Sequence, residues 1–432
     1  MTVIIAFIIL LIALLIGIPI PFAFFASSII IVFLGGYDPS FLLPYGYSKA
    51  GSIILIAIPL FIIAGGFMEK GGIGEKLIDM VEVLIGRVRG GLGAVAVVSC
   101  AVFGAISGSG AATLSCIGSI MFPRMEAAGY PRGHTAALLS NACVLGLLIP
   151  PSLNMILFAF IGGQSVLASF LATIMPGIML IILLSACNFV MLRNNKEIKL
   201  TERYDAKTTV KLMGNKTFKA IPALLCPVII LGGIYGGAMT PTEAAAISVI
   251  YALPVGLFIY KGLTRKTIKE TLIVSGTTSG VILTMLLSVM ILSRLYIMEN
   301  VPTKIMDVLT SISDNPIIIM LMINLFMIII GMLMDDTSAI LLSTPILLPI
   351  VLELGMSPIQ FAAVLGVNLG MGCITPPCAP FLYLGSRLAK APVNEMLKPT
   401  FIFILFAWIP TLLVTTFVPE FSMWLPNLVL GK

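Results

Sequence analysis

Two short stretches of the chain hold oxygen-bearing side chains where their neighbours are apolar. Residues 103–113 read FGAISGSGAAT and residues 331–340 read GMLMDDTSAI. In the first, glycine frees the backbone to unwind, so carbonyls and the Ser107 and Ser109 hydroxyls can converge on a hard cation such as sodium. The helix that follows would offer free N–H groups and a positive dipole end to an anion. The same small-residue spacing also serves as a close-packing seam between helices. In the second stretch, Asp335 and Asp336 are carboxylates amid apolar sequence. They can ligate sodium, relay a proton, or cap the next helix together with Thr337 and Ser338. Adjacent residues on a helix point about 100° apart, so the two carboxylates do different jobs.

A third element is the pair of diprolines, Pro150-Pro151 and Pro376-Pro377. Each removes backbone donors and must break the helix around it, exposing carbonyls. Gly146 and the Gly372-x-x-Thr375 pattern are placed to supply cation ligands there, unless the prolines make only a kink. Asn141, Pro150 and Asn154, with Thr337 and Ser338, are the candidates for touching an organic substrate.

Other chemistries find little support. The seven cysteines are scattered in apolar stretches without ligand or disulfide spacing, and His134 is the only histidine, so no metalloenzyme or haem site is expected. No cofactor is expected beyond sodium as a coupling ion. An intramembrane hydrolase would use paired carboxylates, yet catalytic pairs usually approach from different segments. No GxxxxGK[ST] occurs, which excludes a nucleotide-driven pump. The net charge of +6 resides in short loops between apolar runs, where orientation explains it and nucleic acid does not.

The elements that position these residues must lie in a bilayer. The chain of 432 residues is 59% hydrophobic and 10% charged, with a mean hydropathy of +1.12. No charged side chain precedes Asp38. Without an N-terminal Lys or Arg and a small-residue cleavage site, the first apolar run reads as a retained span. Spans are expected near 3–18, 22–34, 51–68, 135–160, 165–192, 220–236, 241–260, 273–298, 360–384 and 400–418. Regions 93–123 and 316–349 are apolar for about two short helices but interrupted midway, as in a hairpin that enters and leaves on one side.

Loop 193–219 holds eight Lys/Arg against three acids and is expected to be cytoplasmic. Counting spans from it places 124–134, 261–270 and 386–398 on the same side, and all are basic. The opposite loops carry an acidic excess. Segment 69–91 alternates charge with apolar positions at helical spacing, as in an amphipathic helix on the cytoplasmic surface that braces a moving part. Glu243, at the start of an apolar run, reads as a helix-start acid.

Pro123, Gly129, Gly146, Pro150 and Pro151 recur 226 positions later as Pro349, Gly355, Gly372, Pro376 and Pro377. The chain is therefore a duplicated unit: a first repeat over 1–192, a cytoplasmic connection over 193–219 and a second repeat over 220–432. The charge assignment puts 124–134 inside and 350–359 outside, so the repeats are inverted, as in many secondary transporters. The expected fold is an all-α polytopic membrane protein with inverted repeats, two re-entrant hairpins and broken helices. An ion channel lined by the same Gly/Ser segments, or an anion transporter working without a binding protein, is the alternative.

IPLFIIAGGFMEKGG (58–72), FGAISGSGAAT (103–113), GLLIPPS (146–152), MTPTEAAA (239–246) and MDDTSAI (334–340) jointly resemble the large membrane subunit of tripartite ATP-independent periplasmic (TRAP) transporters, the DctM-like family. The resemblance spans the whole chain. It implies an elevator-type fold in the bacterial inner membrane and sodium-coupled uptake of an organic acid, such as a C4-dicarboxylate or sialic acid. It further implies two partners: a periplasmic substrate-binding protein and a small four-helix membrane subunit, here a separate chain. The family's sodium sites correspond to Ser107, Ser109, Gly110, Asp335, Asp336, Gly372 and Thr375. No Arg clamp for a carboxylate is evident in the spans, Arg294 falling near a helix end, so helix N-termini and backbone amides are the expected anion ligands.

Overall fold

A computed structural model describes residues 2–85, 90–195, 197–198 and 206–431, and among these all regular structure is helical. Two apolar helices, α1 (Thr2–Leu15) and α2 (Ile20–Gly35), lead through the short α3 (Leu42–Ala50) to α4 (Ala57–Lys70) and α5 (Ile73–Ile85). A first helical hairpin follows, α6 (Gly91–Ser107) and α7 (Gly110–Ala127), then a broken helix made of α8 (Arg132–Ala142), α9 (Leu145–Leu148) and α10 (Leu153–Gly162), and the long α11 (Val166–Leu192). The chain then repeats the plan. After α12 (Ala206–Tyr235) and α13 (Pro241–Pro254) come α14 (Arg265–Met298) and α15 (Val301–Ile312). A second hairpin, α16 (Pro316–Leu333) and α17 (Asp336–Glu353), leads into the broken helix α18 (Pro358–Gly372) and α19 (Pro380–Ala389). The chain closes with α20 (Val393–Phe403), α21 (Ile409–Phe417) and α22 (Pro419–Leu430).

Among the described residues eight helices are long and apolar enough to cross a bilayer, and the bent pair around Pro150-Pro151, kinked by 45°, makes a ninth. The two arms of the second hairpin pass that test by length, since 18 residues span about 27 Å. Their packing decides otherwise: the turn between them bonds to α10 in the interior, as described below, so the pair is re-entrant.

The expected spans lie where the apolar runs put them, with differences at their ends. Helix α14 begins at Arg265, inside what reads as a basic loop, because Thr264 caps it by accepting from the Thr267 N–H. Helix α12 begins at Ala206, so half of the expected loop 193–219 is helical; residues 196 and 199–205 lie outside the described residues. Segment 69–91 is also divided differently. Glu69 and Lys70 belong to α4, which ends at Gly71 and at Gly72 with φ 83°. Only α5 is the amphipathic helix, and its buried face of Ile73, Leu77, Ile78 and Val81 packs on α12 and α6 rather than on lipid. Arg87 and Arg89 fall outside the described residues. Glu243 is the helix-start acid it reads as: it closes a capping box in which Thr240 accepts from the Glu243 N–H and the Glu243 carboxylate accepts from the Thr240 N–H.

The duplication is visible in space. Glycine packs on glycine between hairpin and broken helix in both halves: a Cβ on Gly104 would lie 2.4 Å from the Gly146 Cα, and one on Gly372 would lie 2.6 Å from the Gly331 Cα. Both diprolines are cis. Helices α5 and α15 occupy equivalent places before the two hairpins.

The helices sort into two packed groups. In one, α4 packs on α13 and α14, α2 on α1 and α14, and α12 on α13. In the other, α16 packs on α18, α8 on α19 and α20, α11 on α6, α18 and α22, and α10 on α17. Contacts of α14 with α17 and of α4 with α6 form the seam between them. Helix α5 bridges both groups, and Arg124 on α7 binds its Asp79 at 2.9 Å and its Glu82 at 3.0 Å. All three side chains are about a quarter to a third exposed, so the pairs are partly screened. Arg124→Gln is expected to lower stability by about 1 kcal/mol, read as a small fall in unfolding temperature with uptake retained.

Candidate functional site

Both hairpin turns are built by side chains that close one helix and open the next. Helix α6 ends at Ser107, where Gly108 adopts φ 62° and its N–H donates to the Gly104 carbonyl at 2.8 Å. Ser109 opens α7, its hydroxyl accepting from the Ala112 N–H. Around this turn hard oxygens cluster. The Thr113 hydroxyl donates to the Ser109 carbonyl at 2.8 Å and lies 3.1 Å from the Ser107 hydroxyl, with Ser107 and Thr113 both buried. The turn docks on the first broken helix: a Cβ on Gly108 would meet the Pro151 carbonyl at 2.8 Å, and the Leu153 N–H donates to the Gly108 carbonyl.

In the second hairpin Asp335 is the N-cap of α17, accepting from the Ser338 N–H at 3.2 Å and from the Ser338 hydroxyl. Asp336 does something else, as the 100° offset requires. Its carboxylate accepts from Asn154 Nδ2 at 2.8 Å, joining the second hairpin to the first broken helix across the duplication.

A cavity of about 650 Å³ opens between the two helix groups. On one side are the first hairpin turn, the start of α10 and the Asp336-Thr337 turn; on the other are Gly65, Gly66, Glu69 and Lys70 of α4 and Glu270, Thr271, Ser275 and Thr278 of α14. A second cavity of about 560 Å³ adjoins it, sharing Glu69, Lys70 and Ser115 and running to Glu75 and Arg124.

Of the sequence-predicted residues, Ser107, Ser109, Asn154, Asp336 and Thr337 line the main cavity together. The others lie away from its wall. Gly110 sits beneath the Phe381 ring; Asp335 and Ser338 satisfy each other; Gly146 and Gly372 are pressed on Gly104 and Gly331. The Thr375 hydroxyl donates to the Met371 carbonyl at 2.6 Å. Asn141 is committed to packing, its amide donating to the Ala137 carbonyl and its oxygen accepting from Trp408 Nε1 at 3.0 Å. Pro150 is buried at the helix break.

The whole α4–α14 wall goes beyond the sequence reading, as does Thr113. Two signals were present: the Gly65-Gly66 pair next to Glu69-Lys70, and Thr271, Ser275 and Thr278 at i, i+4 and i+7 of one helix, which share a face.

Comparison with known proteins agrees with this architecture. The family described as "Tripartite ATP-independent periplasmic transporter, DctM component" matches residues 7–421. The chain is similar to the C4-dicarboxylate TRAP transporter large permease protein DctM of Pseudomonas aeruginosa, with 34% identity over 373 residues covering 86% of each chain. It is similar also to the isethionate TRAP transporter permease protein DctMQ of Oleidesulfovibrio alaskensis, with 33% identity over 417 residues. That match takes in 95% of this chain and spans 64% of the relative's length. Among solved structures, the YdaH transporter of Alcanivorax borkumensis shares the fold, with a TM-score of 0.56 at 14% identity, over 89% of this chain and 87% of that one. A multi-pass helical membrane protein with two hairpins, two broken helices and a match over nearly its whole length, the chain belongs to the DctM component family of tripartite ATP-independent periplasmic transporters.

Proposed function

We propose that this chain is the large membrane subunit of a secondary importer that carries an organic acid across the bacterial inner membrane, driven by sodium and moved by an elevator displacement. The observation that carries the proposal is the place of the cavity. Both hairpin turns lie on one side of it and α4 and α14 on the other, so sliding one helix group past the other would carry the two turns and their oxygens together, past the α4–α14 wall. The oxygens at the turns, from Ser107, Ser109, Thr113 and Asp336, are the hard ligands sodium takes. The cavity runs toward Lys70, Glu75 and Arg124, the end that the basic loops assign to the cytoplasm, which makes this an inward-facing arrangement.

The partners follow from family membership: a periplasmic binding protein to deliver the acid and a small membrane subunit of the kind joined in the relative named DctMQ. Relatives named for C4-dicarboxylate and isethionate support an organic anion as cargo.

The moving wall is tested by fastening it. The Ser338 hydroxyl on α17 lies 3.9 Å from the Met285 sulfur on α14, across the seam. In a background where the exposed Cys378 is replaced by serine, Met285→Cys with Ser338→Cys, joined by a short reducible thiol crosslinker, is expected to stop uptake, and reduction is expected to restore it. Uptake that continues through the crosslinked protein would contradict the elevator.

A further inference from the structure

The hydroxyl groups of α14 fall into two sets. Those off the cavity wall bond back to their own helix: Thr277 to the Ile273 carbonyl at 3.0 Å, Ser279 to Ser275 at 2.7 Å, Thr284 to Gly280 at 2.7 Å and Ser288 to Met285 at 2.8 Å. Those on the wall do not. The Thr271 Oγ1 is buried without a partner, its methyl facing Gly66, where a Cβ would come within 2.5 Å of it. Ser275, 3% exposed, and Thr278 make no hydrogen bond through their hydroxyls among the described residues. Helix geometry does not forbid the back-bond, because Thr277 and Ser279 make it on the same helix. Thr278 is exposed and lines the cavity with Ser275, and hydroxyls not spent on their own helix can both donate and accept, so this face is suited to a partner that arrives from the cavity.

The charges on the wall select that partner. Among the described residues the cavity is lined by three carboxylates (Glu69, Glu270 and Asp336), a single ammonium (Lys70) and seven hydroxyl side chains. Carboxylates on a ligand only accept hydrogen bonds and are repelled by wall carboxylates at short range in a low dielectric. Ligand hydroxyls both donate and accept, and so can pair with wall hydroxyls and wall carboxylates alike.

We propose that Ser275 and Thr278 are specificity-determining contacts that read substrate hydroxyls from the α4–α14 side, and that the cargo is a polyhydroxylated monocarboxylic acid rather than an unsubstituted dicarboxylate. This rests on the transport role proposed above. It divides recognition between the two walls: the hairpin turns, with their helix N-termini, take the carboxylate, and α14 checks the rest of the molecule.

The test uses the purified membrane complex in lipid nanodiscs at fixed sodium, with D-gluconate and succinate as probes of the two classes, and reads apparent affinity from ligand-induced thermal stabilisation. The unaltered protein is expected to bind gluconate more tightly than succinate. Ser275→Ala with Thr278→Val is expected to weaken gluconate about tenfold, or 1.4 kcal/mol, as lost hydrogen bonds should, and to change succinate less than about twofold. The conservative Ser275→Thr with Thr278→Ser keeps both hydroxyls and should restore the preference, which a variant that merely folds poorly would not allow. Succinate bound as tightly as gluconate, with sodium-driven succinate uptake intact in vesicles, would overturn the assignment of substrate class and leave the transport role standing. An unchanged gluconate preference in the double alanine–valine variant would overturn the role of these two residues. Absence of binding by either acid together with absence of any sodium-driven uptake would overturn both.

Discussion

Asp336→Asn is expected to reduce sodium-driven uptake by about a hundredfold and to flatten its dependence on sodium concentration, while the protein still assembles and unfolds near its normal temperature. Asp336 ties the second hairpin to the first broken helix: its carboxylate accepts from Asn154 at 2.8 Å and lines the cavity. A charge-assisted hydrogen bond contributes roughly 1.5–3 kcal/mol, and removing the anionic oxygen also removes a hard ligand that no neutral amide replaces at equal strength. Asparagine keeps the shape, so the packing survives. The neighbouring carboxylate provides the contrast. Asp335 caps α17 through Ser338, and Asp335→Ala is expected to lower stability by about 1 kcal/mol with a much smaller loss of uptake per folded molecule. Measured uptake and unfolding temperature of the two variants give the ranking, and the reverse order would remove Asp336 from the transport site.

The second large effect concerns the seams on which the hairpins lie. Gly104→Ala puts a Cβ 2.4 Å from the Gly146 Cα, and Gly372→Ala puts one 2.6 Å from the Gly331 Cα. Because the obstructing atoms are backbone, no side chain can swing aside and the helices must part. Overpacking of this kind costs about 1–3 kcal/mol and can exceed it, so each variant is expected to unfold several degrees lower and to be recovered in reduced yield, the two matching because the seams match. Gly276→Ala is the control, since a Cβ there meets nothing within 4 Å and an alanine in a helix interior is favourable by roughly 0.5–1 kcal/mol. Equal behaviour of all three in a thermal-unfolding series would show that the glycine seams carry no packing constraint.

Much of this architecture is legible in the chain itself. Apolar runs locate the spans because a bilayer leaves few ways to satisfy a backbone, and glycine–serine and diproline interruptions locate the hairpin turns and helix breaks because those residues disfavour helix. Asp336 stands out as a carboxylate in an apolar run. What remains hidden depends on partners distant in sequence. Asn141 looks as available as Asn154 until Trp408, 267 positions away, is seen to take its oxygen. That Gly372 packs on Gly331, and that the Thr375 hydroxyl turns back to the Met371 carbonyl at the end of α18, likewise appears only in the fold. The α14 wall is silent for a related reason: a threonine in a membrane helix usually satisfies itself on its own backbone, and only the structure separates Thr277, which does, from Thr271, which does not. Glu69 and Lys70 read as the start of a surface helix because sequence does not show that α4 continues through them to Gly71.

Passage of an organic acid through the cavity between the two helix groups, driven by an ion gradient, is measured by reconstituting the chain with the proposed small membrane subunit in proteoliposomes and following uptake of labelled gluconate and succinate, with and without the proposed periplasmic binding protein and with and without an inward sodium gradient. The predicted result is accumulation of an acid only when the sodium gradient and the binding protein are both present, with the Asp336→Asn protein near background. Accumulation that is indifferent to sodium, or downhill flux of small ions without any carried acid, would contradict the account.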